Sequence, residues 1–140
     1  MFGPLDHVGL LVRDMEAAVA EAQQRFGLAI ARSAPLEEFA IRATFLGEGR
    51  GTLEVFTFDD PEILEPRLAG EDRRLDHVAF RVEDIDSVSA ALRASGVRFS
   101  GPDRREEVFE PIMTGPARAL WTMPQSSAGL AIQLIQPPAQ

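Results

Sequence analysis

The chain contains no cysteine and no tyrosine, a single tryptophan and only two histidines in 140 residues. Without thiols there is no disulfide framework, no thiolate-ligated metal and no cysteine nucleophile, so a metal would have to be held through nitrogen and oxygen. Positive charge is also scarce. The 14 basic residues face 22 acidic ones, a formal net charge of -8 with a pI near 4.7. That balance excludes a nucleic-acid surface, which needs clustered cations to displace counterions from phosphates. No apolar run approaches the roughly 18 residues that span a bilayer, and "MFGPLDH" at the amino terminus has neither a basic region nor a hydrophobic leader core. The expectation is a cytoplasmic protein, away from membranes, whose partner is a small-molecule substrate. A nucleophile-elbow pattern is missing, and "GEGRG" (residues 47–51) lacks the spacing and the following helix of a dinucleotide fingerprint.

What is present is a phrase written twice. "LDHVGLLVRDME" begins at Leu5 and "LDHVAFRVEDID" at Leu75, so that His7 and His77 stand half the chain apart in the same setting. Each phrase leads into an alanine-rich amphipathic stretch, "MEAAVAEAQQRF" and "IDSVSAALRAS". Asp14 and Asp84 stand where an N-cap carboxylate would accept from the first helical turn, and Gly27 and Gly96 where a helix would stop. The apolar stripes are read as Ala17, Ala18, Ala22 and Phe26, then Val88, Ala91, Leu92 and Ser95. β-rich runs follow at Leu28–Ser33, Glu38–Leu46 and Thr52–Phe58, and again at Arg98–Ser100, Ala117–Met123 and Leu130–Gln136. Residues 47–51 form the hairpin turn of the first copy. A helical turn is expected over Pro61–Leu68 in the connector, and residues 101–116 read as a long irregular loop of the kind that often serves function.

The predicted fold is therefore α+β: two tandem βαβββ modules, residues 5–58 and 75–136, within one domain spanning 1–140. Together they would form a cupped, mostly antiparallel mixed sheet with its helices on the outer face. Side chains alternate across a strand. On Glu38–Leu46 this puts Glu38, Ala40, Arg42 and Thr44 on one face, read as the concave one, and Phe39, Ile41, Ala43 and Phe45 on the face toward the helices. Glu54 shares a face with Thr52 and Phe56, and Gln133 one with Ala131 and Ile135. His7, Glu54, His77 and Gln133 are thus four polar, ligand-capable groups amid apolar neighbours. Burial without partners would cost about 2 to 7 kcal/mol each, and one divalent ion would satisfy them together. Imidazole, carboxylate and amide oxygen suit zinc, nickel, cobalt, manganese or ferrous iron. A hydrogen-bonded core histidine, or an ion pair between Glu54 and Arg42, is the alternative reading.

With these residues the sequence resembles the vicinal-oxygen-chelate superfamily of glyoxalases, extradiol dioxygenases and fosfomycin- and bleomycin-resistance proteins, along nearly its whole length. In that superfamily the ligands come from the first and last strands of each module, which implies His7, Glu54, His77 and Gln133. Within it "LDHVGLLVRDMEAAV", "PLEEFAIRATFLGEGRGTLEVF", "LDHVAFRVEDIDSVSAAL" and "LWTMPQSSAGLAIQLIQ" resemble, in order, segments of methylmalonyl-CoA epimerases. The resemblance implies Glu38 as catalytic base, an acyl-CoA substrate, a divalent metal and a homodimer; Arg42 and Thr44, on the face read as concave, and Trp121 are read as substrate-binding residues. Three departures stand out: Gln133 replaces a glutamate that could transfer a proton, "MPQ" replaces "HPK", and "EEVFEPIMTGPA" replaces a short Gly-His-Gly segment. A glyoxalase-like lyase fits the same chemistry. A metal-free drug-binding protein of the bleomycin-resistance type, with Trp121, Phe45, Phe56 and Phe109 as stacking surfaces, is the non-catalytic alternative. Ring cleavage by ferrous iron ranks last, because its carboxylate would fall at Gln133.

Overall fold

The computed structural model describes residues 1–49 and 51–139, so Arg50 of the expected hairpin turn lies outside the described residues. The chain divides into two compact units, His7–Asp76 and His77–Gln140 together with Met1–Asp6. Among the described residues each unit carries strands in both parallel and antiparallel pairing, which with three α-helices make an α+β fold.

In the first unit β1 (Leu5–Val12) leads into α1 (Met15–Phe26), followed by β2 (Ile30–Ser33), β3 (Ile41–Leu46), β4 (Thr52–Phe58) and α2 (Pro61–Leu68). The caps are those the sequence marks. Asp14 Oδ1 accepts from Ala17 N at 3.0 Å, and Gly27, at φ 65°, turns its N–H back onto the Ala22 and Gln23 carbonyls. α2 covers Pro61–Leu68 as expected, capped by Asp60, which accepts from Glu62 N at 2.9 Å. Strand order is β2-β3-β4-β1, with β4 parallel to β1 and antiparallel to β3. α1 turns Met15, Ala18 and Ala22 onto Val12, Leu46 and Val55. The stripe expected on α1 is correct at Ala18 and Ala22 only. Ala17 is exposed and Phe26 is 74% exposed, because Met15 in the first turn rotates the buried face away from them.

α2 packs Leu64 and Leu68 on the opposite side of the sheet, against Leu11, Ile41, Ala43, Phe56 and Phe58. This helix decides the faces of β3. Phe45 stands across from Glu54 and Ala43 from Phe56, so Ile41, Ala43 and Phe45 share the face of Glu54. Arg42 and Thr44, across from Thr57 and Val55, lie on the α1 face. The sequence reading has the two faces of β3 reversed. It assumes that apolar means helix-side, whereas α2 gives the other face an apolar cover of its own.

The second unit repeats the plan with β5 (Arg73–Arg81, its carboxyl-terminal half in this unit), α3 (Ile85–Ala94), β6 (Phe99–Ser100), β7 (Ile112–Thr114), β8 (Ala117–Thr122) and β9 (Ile132–Gln136). Asp84 caps α3 by accepting from Ser87 N at 3.1 Å, and Gly96 follows its end at φ 100°. α3 buries Ile85 and Val88 against Phe99, Leu120 and Leu134, while Ala91 and Ser95 of the expected stripe are exposed. The segment read as irregular holds β7, hydrogen-bonded to β8 through the turn at residues 115–116. Arg93 ties that segment to α3 by donating to the Val108 and Phe109 carbonyls at 3.3 and 3.1 Å. Arg98 donates to Glu107 at 3.0 Å, a bond that holds the Glu107 carboxyl below its ordinary value. Among the described residues no helix is long and apolar enough to cross a membrane.

Leu120, wholly buried, and Phe26, on the stripe the sequence misplaces, test this packing. Leu120→Ala should lower unfolding free energy by about 2–5 kcal/mol in urea titrations, and Phe26→Ala by no more than about 0.5 kcal/mol. A large loss at Phe26 would restore the sequence reading of the α1 face.

Candidate functional site

Strand registry sorts the candidate residues. On β1, Gly9 pairs with Glu54 of β4 and His7 with Thr52, and paired residues share a face, so His7 and Glu54 point the same way. His7 is 2% exposed and the Glu54 side chain 15%, with Nε2 and Oε1 3.6 Å apart. That gap is longer than a good hydrogen bond. It is close to the separation of about 3–3.5 Å expected of two donors bound at about 2.0–2.2 Å to one ion. The Phe45 ring, opposite Glu54, stands edge-on to the His7 imidazole at 5.0 Å between centroids and helps to fix its orientation.

The second unit carries the matching set. Gln133 of β9 pairs with Ala79, two residues beyond His77, as Glu54 pairs with Gly9, two residues beyond His7. Trp121 of β8 pairs with Gln133 as Phe45 does with Glu54. His77, Gln133 and Trp121 are all buried, at 7%, 5% and 5% exposure. The duplication is therefore kept to single positions, with glutamine standing for glutamate and tryptophan for phenylalanine. Within the first unit, His7 and Glu54 offer a metal a ring nitrogen and a carboxylate oxygen.

The other expected residues are placed differently. Glu38 is not on a strand. It belongs to a 3-10 turn, Glu37–Phe39, that ends in the left-handed conformation at Ala40 (φ 51°), and β3 begins only at Ile41. Glu38 is exposed on that turn, so strand alternation has no bearing on where it points. Arg42 is exposed on the α1 face, its Nε donating to Asp59 Oδ1 at 2.8 Å, and the partner read for it as an alternative, Glu54, lies on the other face. Thr44 is half-buried on the α1 face. Arg32, unremarked in the sequence, does share the face of His7 and Glu54. It pairs with Phe45, and its guanidinium carbon lies 4.0 Å from the centre of that ring. A shift in the β2–β3 register between Ile30 and Arg32 turns it there.

The fold of this chain is matched by known proteins. Residues 5–136 match the model of the Glyoxalase-like domain. The chain belongs to that family, and with it to the vicinal-oxygen-chelate superfamily. Among solved structures it resembles methylmalonyl-CoA epimerase from Mycobacterium tuberculosis, with 21% identity and a TM-score of 0.84, over 99% of this chain and 90% of that one. The Streptomyces coelicolor methylmalonyl-CoA epimerase bound to 2-nitronate-propionyl-CoA is 22% identical with a TM-score of 0.85, over 99% of this chain and 100% of that one. A further methylmalonyl-CoA epimerase is 28% identical with a TM-score of 0.81, over 99% and 98% of the two chains. No curated protein matches significantly.

The face assignments have a direct check in long-range ¹H–¹⁵N spectra of the imidazoles. Phe45→Leu should move the His7 ring resonances by loss of the ring current, while Arg42→Ala and Thr44→Ala leave them in place. The opposite pattern would put the expected face of β3 back.

Proposed function

We propose that this glyoxalase-like protein is a divalent-metal-dependent isomerase or lyase that removes a proton next to a chelated carbonyl. Its proposed substrates are acyl-CoA thioesters or hemithioacetals. The proposed ligands are His7, Glu54 and His77, with the Gln133 amide oxygen as a fourth, in one functional domain of two modules, residues 5–58 and 75–136. The observation that carries the reading is the pairing of a buried imidazole with a carboxylate 3.6 Å away in one module and a positional match for that pair in the other. Two imidazoles and a carboxylate suit zinc, nickel, cobalt, manganese or ferrous iron.

A metal bound there would act as a Lewis acid toward the substrate oxygens and stabilise negative charge at the enolate. The remaining work is done by the chain. Glu38 is the proposed base: its carboxylate takes the proton from the carbon next to the carbonyl and holds it for return. Its place rests on the likeness of "PLEEFAIRATF" to the epimerases. Gln133 neither accepts nor gives a proton at neutral pH, so it serves as a neutral donor. His7 is held by the edge-on Phe45 ring, which presents one face of the imidazole consistently. The likeness to epimerases, one of them solved with methylmalonyl-CoA, supports the acyl-CoA class.

A non-catalytic binder of a flat organic molecule is the second reading, favoured by the equivalent aromatic placements of Phe45 and Trp121. Quenching of Trp121 by such a molecule in metal-free protein would support it.

Cobalt-loaded protein should show d-d absorption in the visible, and His7→Ala and Glu54→Ala should each weaken cobalt binding by about 10- to 100-fold or more. Incubation with methylmalonyl-CoA or the methylglyoxal–glutathione hemithioacetal in deuterated water should put deuterium at the acidic carbon. Glu38→Gln should lose that exchange by about 100-fold or more while keeping the cobalt spectrum. Absence of a cobalt spectrum, or exchange that survives in Glu38→Gln, contradicts the assignment.

A further inference from the structure

We infer that Arg32 is an anion-recognition residue for the molecule handled by the His7–Glu54 face, and that the group it takes is a carboxylate. The inference rests on the proposed function only for the identity of that face. β2 runs antiparallel to β3, with Ile30 opposite Leu46 on the α1 side. Simple alternation would send Arg32, two residues on, to the same side as Ile30. The register shift places one extra residue on β2 between them, and Arg32 becomes the partner of Phe45, facing the way of His7 and Glu54. Bulges that re-aim one side chain recur beside functional sites.

The surroundings of Arg32 differ from those of most of the other cations. All 14 basic residues are arginines, in a chain with 22 acids. Arg13, Arg42, Arg67, Arg81, Arg98 and Arg118 each reach a carboxylate. Among the described residues Arg32 has no carboxylate. Its guanidinium instead lies over Phe45, 4.0 Å from the ring centre, and the same ring stands 5.0 Å from the His7 imidazole. Stacking occupies the flat face of a guanidinium and leaves its N–H edge for a planar, bidentate acceptor. A single aromatic ring therefore orients both a metal-capable imidazole and a cation with open donors. The second module has no counterpart: Ser100 takes the matching position opposite Trp121, its hydroxyl donating to the Gly101 carbonyl at 2.8 Å. The anionic group is thereby directed to the first module.

Malonate and inorganic phosphate distinguish a carboxylate from a phosphate source. Each is titrated calorimetrically into wild type, Arg32→Gln, Arg32→Lys and, as a control on exposed Arg25, Arg25→Gln, with and without cobalt. Malonate affinity should fall by about tenfold to a hundredfold in Arg32→Gln, as for loss of a charge-assisted contact. It should recover in part in Arg32→Lys and stay unchanged in Arg25→Gln, with melting temperature and cobalt spectrum retained throughout. The same dependence for phosphate alone would overturn the carboxylate assignment. Malonate that fails to bind wild type, or binds Arg32→Gln equally well, would overturn Arg32 as the recognition residue. The cobalt spectrum reports on the metal reading separately, so either result can be told from failure of that reading.

Discussion

The structure depends on the need to satisfy an imidazole that the sheet buries. A histidine at 2% exposure has lost its water, and a Glu54 carboxylate oxygen lies 3.6 Å from its Nε2 on the same face. That proximity comes from the parallel register of β1 with β4, which sets Gly9 beside Glu54 and keeps the residue between them and His7 small. Gly9 is itself buried on that face. The second module meets the same need with Ala79 beside Gln133. A small residue between the histidine and its polar counterpart is thus part of the repeated design.

The copies have diverged where chemistry would make them differ. Glu54 has become Gln133, which loses a charge and a proton-transfer group but keeps an acceptor oxygen. Phe45 has become Trp121, and the place of Arg32 has gone to Ser100. The first module therefore gathers the charged groups and the second keeps neutral ones.

Much of this was legible in the sequence. The repeat gave both histidines the same setting, and the carboxylate caps at Asp14 and Asp84 and the connector helix at Pro61–Leu68 are where the pattern puts them. Alternation read β4 and β9 correctly, since both run without a break. It failed on β3 for two physical reasons. Ala40, left-handed at φ 51°, separates Glu38 from the strand, and α2 supplies an apolar cover on the face expected to be polar. Arg32 was missed because a register shift cannot be seen in composition or spacing. β7 was missed because three residues before a Gly-Pro turn carry too short a pattern to register as a strand.

The proposal on which the rest turns is that one ion is held by His7, Glu54 and His77. It is tested most directly by diffraction from crystals grown with cobalt or zinc, with data collected on both sides of the metal absorption edge. The account predicts a single strong anomalous peak within about 2.0–2.3 Å of a ring nitrogen of each histidine and of a Glu54 carboxylate oxygen. An ion bound elsewhere, or these three side chains bonded only to protein groups in metal-saturated crystals, would contradict it.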